Sequence, residues 1–224
     1  MSIWARIGDA LKALAAGEGL TAVLERLSTP PERSAAFTIA VIALGAKMAK
    51  ADGRVTRDEV TAFREVFTIP RRSQAAAARV FNLARQDVAG YEVYAGQIAR
   101  MFGAGAPALS DLLAGLMHIA AADGDWHADE DAFLRRVAAI FGVDERAFAQ
   151  LRAAHAPGDA DPWAVLGLDP GAPEEAVRAR WRALVRETHP DRMIARGVPE
   201  EAVKLATAQL ARINAAYEAI MDGR

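Results

Sequence analysis

Apolar residues recur three and four positions apart along almost the whole of this 224-residue chain, and runs of β-branched residues are scarce. That spacing puts the apolar side chains of each segment on one stripe, so the chain is predicted to be all-α. Gly and Pro clusters cut the pattern into pieces. Residues 1–30 hold amphipathic helices, the first with Ile3, Trp4, Ile7, Leu11 and Leu14 on one face. Ser28-Thr29-Pro30-Pro31-Glu32 is a clear break, and 31–154 is a long helical block. His155-Ala156-Pro157-Gly158-Asp159-Ala160 has the polar, turn-rich composition of a linker, which leaves 161–224 as a second unit.

The bulk numbers exclude several functions. With 52% of residues hydrophobic, a sizeable core is available. Residues 162–224 carry nine basic and nine acidic side chains, so the net charge of −2 lies in the residues before them. Neither part has the positive excess that phosphate-backbone binding needs, so nucleic acid is not an expected partner. The absence of cysteine excludes disulfides, thiolate zinc sites and cysteine nucleophiles. No apolar stretch reaches the roughly 18 residues of a spanning helix. The longest candidates are Ala35–Met48, which contains Lys47, and Leu112–Ala122. The N-terminus lacks the basic start and apolar block of a signal peptide.

The second unit is the more specific. Asp161 can cap a helix that has Pro162 at its first position and Gly167 at its end. Pro173-Glu174-Glu175 starts the next helix, with acids at the positive end of its dipole. Val177, Trp181, Leu184, Val185 and Thr188 share one face. Pro190 cannot continue that helix and biases His189 toward extended dihedrals. Pro199-Glu200-Glu201 opens a third helix with Val203, Ala206, Leu210, Ile213, Tyr217 and Ile220 on its apolar face. Two antiparallel helices joined by a stiff loop are expected. About sixty residues make a marginal core, so Trp181 and Tyr217 are expected as buried anchors.

His189, in Thr188-His189-Pro190-Asp191-Arg192, is the residue with chemistry to assign. No Ser or Cys nucleophile accompanies it in a triad. One His and one Asp two apart is a poor metal set. Recognition of a partner is the sharper reading, and a structural loop the blander one. Arg178, Arg182 and Arg186 recur every four residues as a stripe. It is either a solvated face, with Glu174 and Arg178 as an i,i+4 pair, or a basic patch that steers onto an acidic partner.

The helical block contains a repeat. Met48–Glu59 aligns with Ile119–Glu130, and each copy carries an Asp-Gly turn followed by further polar and acidic positions. The copies lie too far apart for a solenoid and suggest two pseudo-symmetric hairpins. Asp52, Glu59, Asp123 and Glu130 have two open readings. They are helix caps, as Thr56-Arg57-Asp58-Glu59 suggests, or together they hold one divalent ion. Oxygen ligands favour calcium, magnesium or manganese, while His127 admits zinc. An EF-hand is excluded by the position of the Gly.

These elements carry family resemblances. The order of Asp161–Leu168, the basic helix, His189-Pro190-Asp191 and Ile213–Ile220 resembles the J-domain of DnaJ-type co-chaperones. The repeat resembles the TerB-like (tellurite-resistance) domain. Their combination, with the Met193–Glu200 segment, is similar to DjlA-type co-chaperones. The resemblance implies a DnaK-type chaperone ATPase as partner. His189, Pro190 and Asp191 would act on it, with Arg178, Arg182, Arg186 and Arg192 as the basic surface. It implies no enzyme activity of the chain's own and no required cofactor, with a divalent metal as an option in the TerB-like part. Clients and a homodimer are further partners it implies. Location would be the bacterial cytoplasm, free or peripheral to the inner membrane. The rival is a metal-responsive TerB-like stress scaffold that uses the J-domain only to dock. Two departures stand out: Thr188 replaces the aromatic residue usual before the His, and charged residues occupy the N-terminal segment where DjlA proteins span a membrane. That segment, with a polar face that is not strongly basic, is expected to pack on the TerB-like part or on a second copy.

Overall fold

A computed structural model describes residues 9–10, 13, 33–51, 74–86, 90–124, 126–156, 158, 160–198 and 203–223. Among them the regular elements are all helical and no strand occurs. The all-α expectation holds.

The N-terminal bundle is organised around α1 (Arg33–Ala51). From Phe37 to Met48 every residue of α1 is buried except Gly45. A helix buried all round has no solvent face to keep polar, and this sequence is correspondingly apolar on every side. Its Lys47 is buried too, with its ammonium 4.9 Å from the centroid of the Tyr94 ring. Around α1 stand α2 (Gln74–Gln86), α3 (Tyr91–Phe102), α4 (Pro107–Ala120) and α5 (Ala128–Phe141). Each turns a stripe inward: Ala77, Val80 and Ala84 from α2, Leu109, Leu112, Leu113 and Leu116 from α4, Phe133, Leu134 and Phe141 from α5. Pro107 starts α4 at a position where its missing N–H costs nothing. Near the N-terminus, Asp9, Ala10 and Ala13 are helical, and Ala10 is buried in this core.

The last bundle helix, α6 (Glu145–His155), serves two cores. Asp144 caps it, its carboxylate accepting from the Ala147 N–H at 2.8 Å. Phe148 points into the bundle, whereas Ala154 belongs to a second cluster. The linker expected at 155–160 starts one residue late, because His155 ends the helix and is buried.

Four helices follow among the described residues: α7 (Pro162–Leu166), α8 (Glu174–Glu187), α9 (Pro190–Ala195) and α10 (Val203–Asp222). Asp161 accepts from the Trp163 N–H and Gly167 takes the left-handed conformation, as the sequence suggests. At Gly167 a Cβ would also come within 3.1 Å of the Gln150 side chain, so glycine serves both the turn and the packing. The second cluster joins Val165, Leu166, Val177, Leu184, Ile213, Ala216 and Ile220.

Two expectations need correction. The stiff loop is in part a helix, since Pro190 begins α9 instead of only ending α8. Pro at a first helical position is preorganised, and His189 before it is extended, so the same dipeptide both stops and starts a helix. Trp181 and Tyr217 are not fully buried. They stack on each other at the edge of the small core, ring centroids 4.6 Å apart, and the Trp181 Nε1–H donates to Asn214. Among the described residues, no helix is long and apolar enough to cross a membrane.

Candidate partner-binding site

The His189-Pro190-Asp191 segment sits where α8 gives way to α9. His189 has φ −60° and ψ 131°, and its Nδ1 accepts from the Asp191 N–H at 3.2 Å. A neutral ring making that bond carries its proton on Nε2, the other nitrogen. The His189 side chain is 53% exposed and that of Asp191 88%. The backbone around them is firmly held. The Thr188 N–H donates to the Leu184 carbonyl at 2.8 Å, and Thr188 is buried. The amides of Arg192 and Met193 both return to the His189 carbonyl, and the Val198 amide to that of Met193. Met193 and Val198 are buried, and they join the N-terminal bundle's core, not the small second one.

The basic stripe is exposed along α8. Arg178 pairs with Glu174 at 2.6 Å, the i,i+4 partner expected from the sequence. The Nε–H groups of Arg182 and Arg186 donate to the carbonyls of Arg178 and Arg182. A shallow groove runs beside them, lined by Ala179, Trp181, Arg182, Val185 and Arg186. Arg192 is exposed on α9. The stripe leads along one helix to its C-terminal turn, three residues short of His189, so Arg186 and the tripeptide are neighbours in sequence and surface.

Arginines absent from the expected site do different work. Arg180, on the opposite face of α8, donates to the Leu166 carbonyl at 3.1 Å and to Gln150 at 2.6 Å. Arg146 donates to the Gly167 carbonyl and Arg212 to that of Ala156. Arg196 donates through Nη2 to Asp111 on α4 and to the Glu187 carbonyl, both at 3.0 Å. These four cations tie the C-terminal helices to α4, α6 and their flanks. Burial pushes the Asp111 carboxyl up to about 7, against the pull of the Arg196 charge and hydrogen bond. Burial likewise holds the His155 imidazole down to about 4, opposed by its bond to the Leu151 carbonyl and helped by the charges of His118 and Arg212.

Of the residues expected at a metal site, Asp52 and Glu59 lie outside the described residues, as does the side chain of Asp123. Gly124 takes the left-handed conformation after the short helical turn Ala121–Asp123. Glu130 is buried, and its carboxylate accepts from the His127 N–H at 3.3 Å, the back-bond of a helix cap. Among the described residues no group of three or more His, Asp or Glu side chains is gathered to hold a cation.

A helical bundle built around one buried, Ala-rich helix defines the class. Residues 38–153 match the family model for tellurite resistance protein TerB, and the chain belongs to that family. Over most of its length the chain is also similar to co-chaperone protein DjlA of several bacteria. That of Photobacterium profundum is 26% identical over 216 residues, 84% of this chain and 78% of the relative. That of Escherichia coli (strain K12) is 25% identical over 220 residues, 84% and 80% of the two chains. That of Legionella pneumophila is 42% identical over 60 residues, 27% and 20% of the two. No solved structure matches.

Proposed function

We propose that this protein is a J-domain co-chaperone that stimulates ATP hydrolysis by a DnaK-type chaperone. One observation carries the reading: His189 and Asp191 are exposed on a backbone whose neighbours Thr188, Met193 and Val198 are buried. Exposed polar groups on a pinned backbone suit recognition, because little ordering entropy is lost on binding. The Arg178, Arg182 and Arg186 stripe supplies long-range attraction to an acidic surface. The chain performs no bond chemistry. The partner hydrolyses ATP, and the tripeptide with Arg192 biases it toward the hydrolysing state. The names of the DjlA relatives support the co-chaperone role. The bundle would then choose clients, location or a second copy, in the bacterial cytoplasm.

The test is steady-state ATPase of a DnaK-type chaperone with and without this protein. The wild type should stimulate. His189→Gln should abolish stimulation and leave helical circular dichroism and melting unchanged, since the exposed imidazole contributes little to the core. Full stimulation by the variant would reject the mechanism.

A second reading rests on the repeated acidic turns of the sequence, a divalent cation held by Asp52, Glu59, Asp123 and Glu130. A melting temperature that rises with calcium, magnesium, manganese or zinc, and loses the response in Asp52→Asn/Asp123→Asn, would support it. The Glu130 back-bond favours capping instead.

A further inference from the structure

The Arg196–Asp111 contact crosses between the two units of the molecule, 85 residues apart in sequence, and it ends beside the tripeptide. One guanidinium nitrogen, Arg196 Nη2, reaches both the Asp111 carboxylate on α4 and the carbonyl of Glu187, the last residue of α8. The Arg196 amide is held in turn by the carbonyls of Arg192 and Met193 on α9. Asp111 is thus connected, through one side chain, to both helices that flank His189. The site is largely closed, with the Arg196 side chain 21% and the Asp111 side chain 13% exposed. The second carboxylate oxygen, Oδ2, lies 3.0 Å from the same nitrogen but outside hydrogen-bond geometry, and Arg196 Nε also lacks a partner. Such an under-satisfied buried pair is costly to keep and poorly explained by stability alone.

Beside it a cavity of about 320 Å³ separates the bundle from the C-terminal helices, with Ser110, Gln150, Arg180, Glu187 and Gln209 on its wall. Asp111 and Arg196 themselves stand on the wall of this open cleft, so their contact bridges α4 and α8 where the two helices are not in close apolar contact. Met193 and Val198 supply apolar contact at the far side of the tripeptide, in the bundle's core.

We propose that Asp111 is a positioning residue for the His189–Asp191 segment, acting through Arg196, so that the TerB-family bundle is a strut for the partner-binding loop and not only a targeting module. The same contact could in principle mask the loop. Its exposure decides otherwise, because His189 and Asp191 face solvent while the contact is made. The described polar contacts of Asp111 go to Arg196 and to none of the three residues of the tripeptide, so it would act on a chaperone bound there only through Arg196. Its loss should lower the fraction of chains with a competent loop, which weakens apparent affinity in proportion and spares the maximal rate.

This inference rests on the co-chaperone reading, so its test has an arm that needs no chaperone. Amide hydrogen exchange is measured on the full chain for wild type, Asp111→Ala, Asp111→Asn and Arg196→Ala. Exchange at Met193, Arg196 and Val198 should rise about tenfold in the two alanine variants, as expected when local opening becomes easier. It should stay near wild type in Asp111→Asn, whose amide oxygen can still accept. Amides of Ile213 and Ala216, in the other core, should not change. In the ATPase arm the concentration for half-maximal stimulation should rise several-fold in Asp111→Ala and Arg196→Ala with the maximum preserved. The double variant should be no worse than the weaker single, because both act through one contact. Should Asp111→Ala fail to fold, Asp111→Asn and Arg196→Ala still decide the matter. Unchanged exchange at 193–198 in Arg196→Ala, or additive effects of the two substitutions, would overturn the strut. A wild type that stimulates no ATPase would instead reject the functional reading, while the exchange result would still decide the contact.

Discussion

The N-terminal bundle and the C-terminal helices solve the same problem, order, by different means. The bundle buries large side chains completely: Phe37, Phe141, Phe148, Ile39, Ile42, Leu44, Met48, Ile98 and Leu109 are among its shielded residues. Among the described residues the C-terminal cluster buries Leu, Ile, Val and Ala side chains but no aromatic ring, and it adds polar ties, Trp181 to Asn214 and Arg180 to Gln150 and Leu166. A unit of about sixty residues exposes too much surface for its volume to build a deep core. It borrows from its neighbour instead, through Ala154, Met193, Val198 and Ala206. The surface proposed to meet a partner is therefore held by the larger unit behind it.

The largest expected effects come from core truncations. Phe141→Ala should cost about 3–5 kcal/mol in urea denaturation, through lost transfer energy and the cavity left behind. Met193→Ala should cost about 2–5 kcal/mol, and as a member of the bundle's core it should also speed amide exchange in α4. Exchange in α4 that ignores Met193→Ala would separate the two units energetically and break the contrast drawn above.

Next in size is the response to pH, where the boundary between the units carries two opposed groups. His155 has its native pKa depressed from 6.5 to about 4. As pH falls through 6.5 the unfolded chain takes a proton that the native chain refuses. Stability is lost until about pH 4, by roughly 3 kcal/mol. Asp111 is raised from 3.8 to about 7, so the native chain takes the proton first. Its contribution is fully present below about pH 4 and is lost as pH rises through 7, by on the order of 4 kcal/mol. In the wild type these slopes should largely cancel. Urea titrations between about pH 7.5 and 4.5 should show His155→Gln gaining stability on acidification and Asp111→Asn losing it. Two parallel curves would mean that neither group is shielded as described.

A smaller effect sharpens the account of the C-terminal core. Trp181→Phe keeps an aromatic ring beside Tyr217 but removes the donor to Asn214. A loss of about 1 kcal/mol is expected for the hydrogen bond. A loss as large as that of Phe141→Ala would show that the indole is a core piece and not an edge tie.

How much of this was legible depends on sequence distance. The cap at Asp161, the turn at Gly167 and the extended His189 follow from one residue and its immediate neighbours, and each is present. The α8 stripe was legible from helical period. Arg180 is not among the residues the sequence singles out, although a position two residues away from Arg178 and Arg182 lies about half a turn round the helix. What local rules could not supply was the Arg180 partner, Gln150, 30 residues away, or Asp111 for Arg196. The sequence places His155 in the linker because the turn formers Pro157, Gly158 and Asp159 follow it closely. It is buried where α6 meets α4, α7 and α10, which no local pattern announces. Glu130 is the converse case, since its back-bond to His127 is local and the capping alternative was readable from spacing.

The smallest stability effect belongs to the surface proposed to matter most for binding. Arg182 is exposed, and its described hydrogen bond goes to the backbone of its own helix. Arg182→Glu should change unfolding free energy by no more than about 0.5 kcal/mol, as for surface substitutions generally. It places a negative charge in the middle of the stripe, four residues from Arg178 and four from Arg186. Attraction toward an acidic partner depends on the summed field of those charges, so ATPase stimulation should fall several-fold although the fold is intact. Rising salt should erode wild-type stimulation over the range in which the screening length shrinks to about 8 Å, and the variant should be less salt-sensitive because it has less attraction to lose. Measuring melting and stimulation on the same samples separates the two surfaces of α8. Arg180→Ala, on the inner face, should lower both. Stimulation that is indifferent to Arg182→Glu and to salt would leave the stripe as a solvated helix face, and His189 with its neighbours would have to carry recognition alone.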